Sequence, residues 1–270
     1  MKNIFSYFKK VNWHYCLIFS LIILTNIVPI QAIETQSPKA FFEKALMQSK
    51  NGDFDAAIST WNYLLEQTPD DAAALSNRGN VRLALGDPQG AIEDQTQAIL
   101  LLPLEADPRL NRGIAEELLG KWEDAKKDYE WILEREPNNS LALYNLANVY
   151  LALENWTQAE FLFNQAVRFG SGLPIASSSK ALIAYQMGDL VKAEAELRKL
   201  IRRYPMFADG RAALTALLWK KGFLGEAESN WAAASGLDSR YSQREWLLDV
   251  RRWPPQPVAD LMAFLALKNI

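Results

Sequence analysis

LNRGIAEELLGKWEDA (residues 110–125) sets Leu110, Ile114, Leu118 and Leu119 at helical spacing, yet it places Gly113 inside the pattern. A glycine there costs about 1 kcal/mol relative to alanine, so some neighbour must require it. Thirty-four residues earlier stands the related SNRGNVRLALGDPQGA (residues 76–91), with Gly79 for Gly113, Gly86 for Gly120 and Ala91 for Ala125. The same step along the chain meets alanine at Ala57, Ala91, Ala125, Ala159, Ala193 and Ala227. It also meets glycine at Gly52, Gly86, Gly120, Gly188 and Gly222, replaced once by Glu154, and proline at Pro69, Pro103, Pro137 and Pro205, replaced by Ser171 and Ser239. Each unit therefore predicts two short helices, a glycine turn between them and a proline stop.

A 34-residue helix-turn-helix period of this pattern resembles the tetratricopeptide repeat. The resemblance implies an all-α solenoid of six repeats in a right-handed superhelix, residues 38–71, 72–105, 106–139, 140–173, 174–207 and 208–241, with residues 242–270 as C-terminal capping helices. The small residue of each first helix is Ala45, Gly79, Gly113, Ala147, Ala181 or Thr215. It is expected to face the recurrent alanine of the second helix, so that Gly113 lets Ala125 approach. Phe54, Trp122 and Trp156 begin second helices, and Trp61, Tyr129, Phe163 and Trp231 take the large position further along them. All seven are read as core.

The N-terminus differs. Lys2, Lys9 and Lys10 precede an apolar run from Cys16 to Val28, and Pro29, Ile30, Gln31 and Ala32 offer a cleavage point ahead of Glu34, the first acidic residue. Residues 1–32 thus have the layout of a signal peptide, and residues 13–33 are also long enough for an uncleaved anchor. Either reading keeps the lysines inside and exports the array, to a periplasm or a thylakoid lumen, with membrane association through this segment if it is retained. His14 and Cys16 are the chain's only histidine and cysteine. Export without them excludes a Cys/His metal site, a thiol nucleophile, a histidine base and a disulfide. It also leaves 26 Lys and Arg against 32 Asp and Glu, a net charge of −6. Nucleic acid is not an expected partner of so acidic an array.

Asp70 with Asp71, Glu116 with Glu117, and Glu194 with Glu196 are the carboxylate pairs that catalysis would have to use. Neighbours one or two apart on a helix diverge, so all are expected at the surface. No phosphate loop, nucleophile elbow or metal motif occurs, hence no catalytic, cofactor or metal residue is assigned and no cofactor is expected. Asp53, Asp87 and Asp189 follow turn positions and read as helix caps.

What remains is surface. The resemblance puts the first helices on a concave groove, whose candidate peptide-binding residues are Phe42, Asn77, Asn80, Asn111, Ile114, Tyr144, Asn145, Asn148, Tyr185 and Trp219. Asn77, Asn111 and Asn145 recur at the repeat interval, and their amides suit the backbone of an extended peptide as well as capping of local backbone. Lysine or arginine beside those asparagines, which the family uses to grip acidic chaperone C-termini, is missing: the places hold Phe42, Ser76, Leu110, Tyr144, Ser178 and Ala212. In the tail, Trp246, Leu247, Val250 and Trp253 predict one amphipathic helix, the run from Pro254 to Pro257 breaks it, and Val258, Leu261, Met262 and Leu265 predict another. REWLLDVRRWPPQPVADLMAFL (residues 244–265) resembles the end of a group of tetratricopeptide proteins of cyanobacteria and the plant thylakoid lumen. These readings imply a non-catalytic protein-interaction scaffold that assists assembly or maintenance of a membrane or photosynthetic complex. The alternative is a carrier of an apolar small molecule or lipid.

Overall fold

A computed structural model describes residues 37–170 and 174–268. The leader or anchor of residues 1–32, with His14 and Cys16, and the proline substitute Ser171 lie outside the described residues. Helices follow in pairs: α1 (Pro38–Asn51) with α2 (Phe54–Gln67), α3 (Ala72–Ala84) with α4 (Pro88–Leu101), α5 (Ala106–Leu118) with α6 (Trp122–Arg135), α7 (Ser140–Ala152) with α8 (Trp156–Phe169), α9 (Pro174–Gln186) with α10 (Leu190–Arg203), and α11 (Ala208–Lys220) with α12 (Leu224–Leu237). Each helix packs on its partner and on the next pair, which makes an all-α solenoid.

Local chemistry sets the ends of these helices. Turn residues Gly52, Gly86, Gly120, Gly188 and Gly222 have φ between +68° and +88°, the left-handed region in which glycine meets no Cβ clash. Glu154 holds the same place at φ +56°. The next residue then caps the second helix: the side chains of Asp53, Asp87, Asn155 and Asp189 accept from the backbone N–H of Ala56, Gly90, Gln158 and Lys192. Such a bond satisfies one orphan donor for about 1 kcal/mol. Asp71 and Asn139 do the same for the first helices α3 and α7, so Asp71 opens a repeat rather than closing one.

The recurrent alanines Ala57, Ala91, Ala125, Ala159, Ala193 and Ala227 are all fully buried. Gly113 has a further reason to be small. A Cβ on Gly113 would lie 2.6 Å from Cε1 of Tyr129, and one on Gly79 would lie 2.8 Å from Nε2 of Gln95. The small residue makes room for the large side chain sixteen positions on, and in the sixth repeat Thr215 also meets the alanine, its hydroxyl 3.4 Å from the Ala227 carbonyl. Trp61, Tyr129 and Phe163 are accordingly fully buried at that large position, while Phe54, Trp122, Trp156 and Trp231 are half-buried and pack against the core.

Successive first helices also touch one another, α1 to α3, α3 to α5, α5 to α7 and α9 to α11. In a curved stack the elements that approach each other lie on the inner side, so the first helices line the concave face. The tail then departs from expectation twice. It runs through a 3₁₀ turn (Ser239–Ser242) and a π-helical turn (Trp246–Val250) into α13 (Pro255–Lys268). Pro255 and Pro257 do not break a helix; they open one, in the first turn, where a missing N–H costs nothing. The chain bends instead at Arg252, at φ +54°. Nor does α13 extend the stack as a cap: it packs on α9 and α11, so its apolar face covers the concave side of the last two pairs. Among the described residues no helix is long and apolar enough to cross a membrane.

Candidate peptide-binding groove

The concave face is partly filled by the chain's own C-terminal segment. Asp209, in the first turn of α11, is fully buried, and its Oδ1 accepts from Arg251 Nε (2.9 Å) and Nη2 (2.6 Å), Trp253 Nε1 (3.0 Å) and the Tyr241 hydroxyl (2.9 Å). Burial opposes the charge of Arg251, but the adjacent Asp209 carboxylate outweighs it and its pKa rises. The pair is therefore a locked ion pair in a dry setting, costly to break from either side. Beyond it, α13 is fastened by the Tyr185 hydroxyl, which donates to Asp260 Oδ2 and the Ala216 carbonyl (3.0 Å each), by Lys220 to Asp260 (3.3 Å), and by the Gln256 N–H to Gln186 Oε1 (2.8 Å). Phe264 meets the rings of Trp219 and Trp231 edge-on.

The second anchor lies three pairs away. Arg252 pairs with Glu117, at the end of α5, and its guanidinium lies 5.5 Å over the Trp122 ring. The Tyr129 hydroxyl donates to Glu117 Oε1 at 2.5 Å, and burial with the nearby Glu116 and Asp128 charges pushes that phenol upward, so it stays protonated. A cleft of about 300 Å³ opens beside this anchor, with Glu117, Asp249 and Arg252 among the apolar Leu118, Trp122 and Leu151. Glu116 and Glu117 thus overturn their surface assignment: they are 8% and 5% exposed. Spacing along α5 made them diverge, but both directions are covered, one by Arg252 and one by the ion pairs of α6. Burial, then the charge of Asp128, raises the Glu116 carboxyl to about 7.

Tetratricopeptide repeat family models match residues 42–109, 110–174 and 180–205, together more than half of the chain. The chain belongs to the tetratricopeptide-repeat family. Human tetratricopeptide repeat protein 6 is 29% identical over 118 residues, 44% of this chain and 22% of that protein. The chain spans about a fifth of the length of the curated relatives it first matches. Among solved structures, a tetratricopeptide repeat protein from Parabacteroides merdae is similar at TM-score 0.61 and 20% identity, over 86% of this chain and 99% of that one. Pseudomonas aeruginosa pilF is similar at TM-score 0.64 and 18% identity, over 85% and 97%. Proteins of this family are protein-interaction scaffolds.

Within this tetratricopeptide-repeat protein the expected groove residues fall into two sets. Phe42, Asn77, Asn111, Ile114, Tyr144 and Asn145 are half-buried, and Asn80 is exposed, along the first helices of pairs one to four. Phe42 rests edge-on against Trp61 at 5.0 Å. Asn77 donates to the Ala73 carbonyl and Asn80 accepts from Gln95, so these two amides serve local structure at least in part. Asn148 is buried. Tyr185 and Trp219 do not line an open groove: Tyr185 is 1% exposed beneath α13 and Trp219 packs on Phe264. Of the anchors, Asp209 escaped the sequence reading, while Glu117 reads there as a surface carboxylate and Arg251 with Arg252 as a solvated helix face; the structure covers all three, and nothing local announces a contact between helices so far apart in the chain. A ladder of ion pairs was also missed, although its signal was present. Arg78 with Asp94 and Arg112 with Asp128 repeat at 34 residues, each bidentate at 2.6–2.9 Å from first helix to second.

Among the described residues no group of three or more His, Cys, Asp and Glu is placed to hold a metal.

Proposed function

We propose that this protein is an exported, non-catalytic scaffold that holds a segment of another protein on the concave face and assists assembly or maintenance of a membrane or photosynthetic complex. The observation that carries the reading is the tail itself: a polypeptide with a helix and an irregular stretch lies along the first helices, held by side-chain pairs and ring contacts. A face that takes its own chain has the chemistry to take another. The first helices of pairs one and two, and the stretches of those of pairs three and four that the tail leaves bare, remain for a foreign segment, with Phe42, Asn111, Ile114, Tyr144 and Asn145 half-buried along them. Export rests on the lysines and apolar run of residues 1–32, and the complex assisted rests on the resemblance of residues 244–265.

Crosslinking affinity capture from the native host, with the wild-type chain and the triple variant N111A, Y144A and N145A, tests this. A partner found with the wild type and lost with the variant is expected. Equal recovery by both, or no reproducible partner, overturns the reading.

A further inference from the structure

Residues 251–253 deliver two guanidinium groups and an indole N–H to two buried carboxylates of the concave face, Asp209 and Glu117. Each carboxylate has a phenol donor besides, Tyr241 for Asp209 and Tyr129 for Glu117. A phenol does not neutralise a charge, so each site demands a cation. Asp209 is 0% exposed, and its Oδ2 accepts no hydrogen bond even with the tail in place, so this carboxylate still has acceptor capacity. The occupant is also held at a cost. Arg252 sits at φ +54°, a conformation that persists in a non-glycine residue only where contacts over-determine it. Release of the tail relaxes that backbone while both acceptors stay behind on the array.

We propose that the concave face between α5 and α11 is a docking site for a protein segment carrying an arginine pair followed by an aromatic residue, and that residues 246–254 occupy this site in cis. The inference rests on the reading of the concave face as a protein-binding surface and names the chemistry of the segment it takes. Charge complementarity selects that segment: two buried carboxylates face it, one beside the Trp122 ring, which a guanidinium covers well. The partner and the tail compete, so apparent affinity is the intrinsic affinity scaled by the fraction of molecules whose tail is out.

The test uses the full chain and a fluorescent peptide of residues 246–257, WLLDVRRWPPQP, read by anisotropy. Wild type binds the peptide weakly because its own tail competes. R252A loosens the tail and leaves Glu117 and Asp209 in place, so it binds about tenfold more tightly if the accessible fraction rises about tenfold. E117Q loosens the tail equally but removes the acceptor, and stays near the wild-type affinity. No gain in R252A, or an equal gain in E117Q, overturns the proposal. Dimers of R252A that grow with concentration and exclude the peptide put a second copy's tail in the site and also overturn it. Should R252A fail to fold, saturating peptide on the wild-type chain must speed amide exchange in residues 246–268 while leaving α1 to α4 unchanged; unchanged exchange there refutes the idea. A captured host partner whose binding is indifferent to both substitutions leaves the scaffold reading standing and removes this one.

Discussion

At the scale of single residues, two glycines that look alike in the sequence differ in what they face. Gly113 is filled up to its missing Cβ by the Tyr129 ring, while Gly236, near the end of α12, has open space around the same position. Gly113→Ala gains helix propensity but drives a buried ring out of place, an overpacking cost of about 1–3 kcal/mol that exceeds the gain. It is expected to lower the urea midpoint, and Gly236→Ala to raise it, by up to about 1 kcal/mol. Glu116 adds a pH dependence with a definite sign. Its carboxyl titrates at about 7 when folded and near the ordinary 4.5 when unfolded, through burial and Asp128 against the opposing charge of Arg112. Between those values the unfolded chain gives up a proton that the folded chain keeps, so the stabilising contribution is complete below 4.5 and gone above about 7. The span corresponds to about 3 kcal/mol at most. Glu116→Gln keeps the neutral form at every pH; its unfolding free energy should equal that of wild type near pH 4.5 and exceed it by about 1–3 kcal/mol at pH 8. Equal differences at both values would show that Glu116 does not titrate in that window.

At the scale of the element, the helix pair, ion pairs between first and second helices rank by burial. Asp128 is 3% exposed and takes both Arg112 and Arg109, whereas the counterpart Lys180 to Glu196, at 2.8 Å, has its carboxylate 30% exposed. Asp128→Ala leaves two guanidinium groups half-buried without their acceptor and should cost about 3–5 kcal/mol in chemical denaturation. Lys180→Ala should cost about 1 kcal/mol or less. The remaining strain of the repeat sits at Glu154, at φ +56° where the other described turns have glycine. Glu154→Gly is expected to raise the melting temperature, since the left-handed backbone costs an L-residue about 1–2 kcal/mol, against which glycine's greater loss of freedom is the smaller term. This is also the scale at which the sequence was most legible. Turns, caps and buried alanines depend on residues a few positions apart, and the 34-residue period repeats each of them until the pattern stands clear of chance. The nearest neighbour of Gly113, Tyr129, was not foreseen because the period gives phase along the chain but not the direction of a Cβ, which points at position sixteen onward. Glu117 was misread because its cover, Arg252, comes from the tail, and no repeat predicts where a non-repeating segment returns.

At the scale of the molecule, a solenoid couples each pair to its neighbours alone, so damage at one end should stay there. The tail changes that expectation for the C-terminal half. It ties α11 to α5 through Asp209 with Arg251 and Glu117 with Arg252, and it spans α9 and α11 through α13. Asp209→Asn removes the charge that holds Arg251 while leaving an amide of nearly the same shape, and an unpaired buried guanidinium remains. Amide exchange should then rise together in residues 246–268, in α9 and α11, and at the end of α5, whereas α1 and α2, which pack with α3 and share no cluster with the tail, keep wild-type protection. A rise limited to α11 and α12 would mean that the tail carries no coupling across the array, and a uniform rise would mean that the chain unfolds as one unit. The expected pattern, a C-terminal block that opens as a whole over an untouched N-terminal block, follows from a strap that closes half of a one-dimensional stack into a unit with contacts far apart in the chain.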